Sequence, residues 1–134
     1  MSSLIEASVV APFLTYGVLL LVQLLVADVA GIRAGHTPGT AVPDDHGQFH
    51  FRSVRALGNS NESVGLFLLI AVPAVLLVES DWLVPLLWAW VGARAGHMAC
   101  YYANLQIARS VSFGLSLLAL GGLALMAGAA ALGA

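Results

Sequence analysis

"FRSVRALGNSNESVGLFLLIAVPAVLLV" (residues 51–78) couples a polar head to an oily body. The body, "VGLFLLIAVPAVLLV" (64–78), carries no charge and suits a helix solvated by lipid. The head, residues 51–63, holds Arg52, Arg55, Asn59 and Glu62 at spacings of three, four and three. At about 100° per residue those four side chains fall within an arc of roughly 80° on one helical face. The oily body decides the fold. The polar face raises the question of function.

The rest of the chain agrees with lipid as the solvent. Of 134 residues, 60% are hydrophobic and 9% charged, and the mean hydropathy is +0.92. A soluble domain carries about a quarter charged residues, so this chain cannot cover a water-exposed surface. There is no lysine and the net charge is −2, which leaves no basic stripe for nucleic acid. Cys100 is the single cysteine and reads as a small hydrophobe. No Cys or His cluster has metal-ligand spacing, so no metal is expected.

A spanning helix needs about 20 mostly apolar residues. Four segments meet this, about 8–30, 52–78, 82–105 and 110–132, and together they predict one all-α, four-helix transmembrane domain over residues 1–134. The first lacks a basic leader and is read as a retained helix. The stretch 34–47, "AGHTPGTAVPDDHG", is the polar loop, and "ESD" (79–81) and "IARS" (107–110) are short connections. Arg33, Arg52, Arg55 and Arg109 sit at the ends near 34–47 and 107–110, whereas the terminal side carries only acids such as Glu6, Glu79 and Asp81. The positive-inside rule then places both termini outside and the 34–47 loop in the cytoplasm, in the plasma (inner) membrane if the source is bacterial.

The third span repeats the device of the second. Arg94, His97, Tyr101 and Asn104 recur at three, four and three. A charge at membrane depth costs about 2.5–3.5 kcal/mol on insertion scales and must be paired or face a polar cavity. Arg55 or Arg94 could pair with Glu62 and glue the bundle. Even so, four arginines share this layer with one glutamate, which favours an anionic guest held by guanidinium forks. Gly92 and Gly96 form a G-x-x-x-G, and Gly114, Gly121, Gly122 and Gly128 follow in the last span, as close helix packing or oligomerisation requires.

"FRSVRALGNSNES" together with "GARAGHMACYYANLQIARSVSF" (92–113) resembles the MAPEG family, the membrane-associated proteins in eicosanoid and glutathione metabolism. The resemblance runs from about Arg33 to Phe113, and its nearest branches are the microsomal prostaglandin synthases and glutathione transferases. It implies a homotrimer of four-helix subunits, with glutathione or a related anionic thiol bound between subunits. By position, Arg33, Arg52, Arg55, Asn59, Glu62, Arg94, His97 and Tyr101 would hold the thiol. Arg109 and Ser110 would stand beside the sulfur, where a cation favours the nucleophilic thiolate. Two positions depart from the family pattern. Phe113 replaces a tyrosine near the thiol, and Gly58 replaces an arginine present in some members.

Plainer readings stand beside these. Ser110 could simply cap the fourth helix. Trp82, Trp88 and Trp90 read as interfacial indoles, Tyr102 as packing, and His36, His46 and His50 as solvated. Two functions follow. One is an enzyme joining glutathione to lipophilic electrophiles or reducing lipid hydroperoxides, its apolar substrate arriving through the lipid. The other is a non-catalytic lipid-binding, scaffolding or accessory subunit of the same fold.

Overall fold

The computed structural model describes residues 3–133, with side chains from residue 7 onward, so Glu6 and the extreme ends of the predicted domain lie outside the described residues. Four helices follow in order: α1 (Ser3–Arg33), α2 (Phe49–Leu77), α3 (Leu83–Tyr102) and α4 (Gln106–Ala131). No strand occurs among the described residues. α1, α2 and α4 are long and apolar enough to cross a membrane. α3 falls outside that group because Arg94, His97, its tryptophans and its closing tyrosines dilute its apolar residues. Its 20 residues still extend about 30 Å, the thickness of a hydrocarbon core.

Three helices stop where the sequence supplies a left-handed residue. Gly35 (φ 67°) ends α1, Asn104 (φ 58°) ends α3 and Gly133 (φ 71°) follows the cap of α4. In α3 the Leu105 N–H reaches the Cys100 carbonyl at 2.8 Å and the Asn104 N–H reaches the Tyr101 carbonyl at 3.1 Å. This pair of bonds is the Schellman closure, which consumes carbonyls that a helix end otherwise leaves orphaned. It corrects two expectations. Asn104 cannot extend the stripe of α3, and α4 starts at Gln106, so "IARS" is helical rather than a connection.

α3 packs most extensively on α4, while α2 contacts the other three helices and, among the described residues, α1 does not meet α4. The close approach of α3 and α4 rests on Gly96, whose added Cβ would lie 3.3 Å from Ser112 Oγ, and on Gly122, whose Cβ would meet Leu86 methyls at 3.3 Å. Gly92, Gly114, Gly121 and Gly128 face open space. Of the G-x-x-x-G pair, only Gly96 permits contact inside the subunit.

The apolar core occupies the half of the bundle away from the arginines. Trp90 stacks on Phe67 with centroids 5.0 Å apart and planes 1° apart, and Tyr16 meets both rings edge-on. Leu87, Leu120 and Leu123 close the cluster. Trp90 is therefore a core residue, 1% exposed, whereas Trp82 is 70% exposed. Trp90 shares a helical face with Leu83, Leu87, Arg94 and His97, all buried, and that face turns it inward. His50 is buried too, against Gly31 and with its ring 4.8 Å from His36, rather than solvated.

Candidate functional site

The polar half lies where α1 and α3 end and α2 and α4 begin. Arg52 fastens this end together. Its Nη1 donates to the His46 carbonyl at 2.7 Å and the Gly47 carbonyl at 3.0 Å. Its Nη2 reaches the Tyr102 carbonyl at 3.3 Å. One guanidinium thus joins the 34–48 loop to the C-terminus of α3, with Phe49 beneath it at 5.7 Å. Arg52 is occupied by backbone carbonyls.

Arg94 is the deepest charge, with 0% exposure. Its Nη2 donates to Asn59 Oδ1 at 2.6 Å and to Ser60 Oγ at 3.3 Å. Its Cζ lies 5.7 Å from the Trp90 ring and 5.9 Å from the Phe113 ring. Nε and Nη1 have no partner. A guanidinium carries five N–H donors, so three are left over. Its neighbours among the described residues include the Asn59 amide, the Ser60 and Tyr16 hydroxyls and the Trp90 and Phe113 rings, all neutral. The Arg94–Glu62 pair that the sequence allowed does not form.

From Arg94 a seam of rings leads along α3 and α4. The His97 ring lies 5.9 Å from Phe113 and 5.1 Å from Tyr101, and its buried Nδ1 has no partner. Arg109 Cζ stands 4.5 Å from the centroid of Tyr101, a cation–π contact. Arg109 belongs to the first turn of α4, where Leu105 at the N-cap gives no side-chain bond. The N–H groups of a helix start and a guanidinium therefore share one place, and both favour negative charge. Ser110 is exposed and donates to the Gln106 carbonyl one turn back, at 3.2 Å. It is an interior helical residue, not a cap, and lies apart from the seam.

Arg55 and Glu62 are exposed on α2, with neither a hydrogen bond nor an ion pair to any described residue. The same holds for Arg33 in the last turn of α1. Thirteen residues separate Glu62 from the start of α2 at Phe49, a rise of about 20 Å. A carboxylate is thus presented outward at membrane depth. Beside it a cleft of about 180 Å³ opens between α2 and α4, lined by Asn59, Glu62, Ser63, Trp90, Phe113 and Ser116 among others. A larger hollow of about 660 Å³ lies at the opposite end beside Val78, Glu79 and Trp82. It contains none of the arginines, and the polar chemistry is not there.

Within one subunit the structure therefore joins Asn59 to Arg94 directly, and His97 and Tyr101 to Arg109 through ring contacts. It leaves Arg33, Arg55, Glu62 and Ser110 facing outward. Three residues escaped the sequence reading. Ser60 and Gln23 are buried and bonded to each other at 2.9 Å, and Asp28 is a further exposed acid in α1. The signal for Gln23 was present in the sequence, as the one amide in the first oily segment.

No curated protein matches the chain. The model of the MAPEG family matches residues 8–129, a range that reaches into all four helices and holds every residue of the polar half. A membrane-embedded four-helix bundle with this arginine layer thus belongs to the MAPEG family.

Proposed function

We propose that the protein is a membrane-bound transferase or peroxidase. It uses glutathione, or a related anionic thiol, against lipophilic electrophiles or lipid hydroperoxides. Membership of the family supports a membrane glutathione-related transferase or accessory role in general. One observation carries the finer reading. Arg55 and Glu62 face outward with no partner in the subunit while Arg94, fully buried, has neutral neighbours. Opposite charges left bare at that depth need a partner outside the subunit. A zwitterionic thiol with two carboxylates, an amine and a sulfur answers both signs, and a homotrimer supplies walls for it. Its binding face would be the end bearing the 34–48 loop, cytoplasmic by the arginine bias, with both chain termini outside.

The residues then divide the work. Arg55, Arg94 and Arg33 hold carboxylates, and Asn59 holds Arg94. Glu62 accepts the amine. Arg109, braced on Tyr101 at the start of α4, lowers the energy of the thiolate at its nucleophilic moment. Ser110 needs a rotamer change or a neighbouring subunit to reach the sulfur.

Phe113 favours a second reading. Its ring lies 5.9 Å from both the Arg94 guanidinium and the His97 ring and brings no hydroxyl to a reacting atom. A lipid-binding or accessory subunit would tolerate that loss. Two measurements separate the readings: mass spectrometry of the molecule that copurifies with the protein, and conjugation of an aryl halide in the presence of glutathione. Turnover with glutathione supports the enzyme, and a copurified lipid with no turnover supports the accessory role.

A further inference from the structure

Gln23 sits within α1, 0% exposed, among residues that otherwise suit lipid. A buried amide is costly unless its donors and acceptors are engaged. Its Nε2 donates to the Leu19 carbonyl of its own helix at 3.4 Å, which turns Oε1 toward α2. Ser60 Oγ donates to that oxygen at 2.9 Å. A serine hydroxyl has one proton, so giving it to Gln23 turns the lone pairs of Ser60 toward Arg94, whose Nη2 donates to Oγ at 3.3 Å. The bonds run in one direction, Arg94 to Ser60 to Gln23 to Leu19, and tie α3 to α2 to α1. A chain aligned in this way strengthens each of its members.

What the chain lacks matters as much. An acid at position 23 would give Arg94 an internal counter-ion through the same hydroxyl. A neutral amide fixes the guanidinium and leaves its charge uncompensated. We propose that Gln23 is a positioning residue that acts through Ser60 on Arg94, holding the guanidinium in place while passing its demand for a negative partner to a carboxylate-bearing ligand. The ligand half of this inference rests on the anionic-thiol reading above. The tether from Gln23 to Arg94 does not.

The test has two arms, both on the full chain purified in detergent. The first omits ligand and compares melting temperatures of wild type, Gln23→Leu, Arg94→Met and the double variant. A shared tether predicts that the double variant melts no lower than Arg94→Met alone. Additive losses would overturn the coupling. Ser60→Ala, which removes one hydroxyl, replaces Gln23→Leu in the same cycle if the leucine variant fails to fold. The second arm measures glutathione binding to wild type and Gln23→Glu by calorimetry at alkaline pH, where the new carboxyl is ionised. Gln23→Glu is expected to melt at or above the wild-type temperature yet bind glutathione about tenfold more weakly or worse, a combination that a merely structural role would not produce. Wild-type affinity in Gln23→Glu would overturn the proposal. If the wild type binds no glutathione while the ligand-free cycle is non-additive, the thiol reading fails and the tether stands.

Discussion

Arg109 rests on Tyr101, its Cζ 4.5 Å from the ring centroid, so the one cation at the start of α4 is aimed by the last turn of α3. The contact fixes where the positive charge stands without giving it a counter-ion. Arg52 and Arg94 also stand over rings, each at 5.7 Å from the nearest centroid, and the Arg109 contact is the shorter.

Arg109→Ala is expected to lower glutathione-dependent conjugation by about 10²–10³-fold, the usual loss for one donor to a developing anion, while glutathione affinity falls much less. Arg109→Lys recovers part of the rate, because a point charge replaces a planar fork. Turnover against an aryl halide and an organic hydroperoxide, with thiolate ultraviolet absorbance as a direct readout, checks both. A wild-type rate in Arg109→Ala removes the residue from the chemistry.

Glutathione is expected to raise the melting temperature by mass action, worth about 2.7 kcal/mol at a hundredfold excess over Kd. Arg55→Ala and Glu62→Ala should each weaken binding by about tenfold or more, because each removal strands the opposite charge at depth. Titration calorimetry in nanodiscs measures this. Equal affinities in all three proteins would move the binding site off α2.

Outward-facing Arg55 and Glu62 also predict self-association. Native mass spectrometry from mild detergent should find three copies, and Glu62→Cys in a Cys100→Ser background should cross-link between subunits. A monomer whose residue 62 is labelled by a lipid-phase reagent would contradict the trimer.

Helix packing gives a prediction that needs no ligand. Gly96→Val should destabilise by about 1–3 kcal/mol, because its branched side chain meets Ser112 across a tight approach. Gly92→Ala, facing open space, should change the melting temperature very little or raise it, since alanine favours the helix. Trp90→Ala should cost about 3–5 kcal/mol through loss of the stack on Phe67, against about 0.5 kcal/mol or less for Trp82→Ala. Thermal unfolding of the four variants orders them.

The parts of the structure legible in the sequence were those written as period and composition. Arg94, His97 and Tyr101 recur at helical spacing, and the structure places them on one buried face of α3. Asn104 keeps the same spacing and leaves the helix, because a single left-handed residue ends the periodicity that the spacing assumes. Trp90 was misplaced for a related reason. An indole is at home at an interface or in a core, and the choice was made by Phe67 and Tyr16, on helices far away in sequence. The Gln23–Ser60 bond spans 37 residues, and no local pattern announces it. The partners of Arg52 were equally hidden, since backbone carbonyls carry no residue-specific signal.

The three carbonyls around Arg52 have a consequence for ionic strength. Dipoles at hydrogen-bond distance are not displaced by dissolved ions, so the clasp between the loop and α3 should hold its shape across a wide range of salt. Arg33, exposed in the last turn of α1 and without an internal partner, attracts through solvent, where the Debye length shrinks to about 8 Å at physiological salt and about 3 Å at 1 M. Adding salt therefore sorts the arginines of one small layer into those that build it and those that recruit to it.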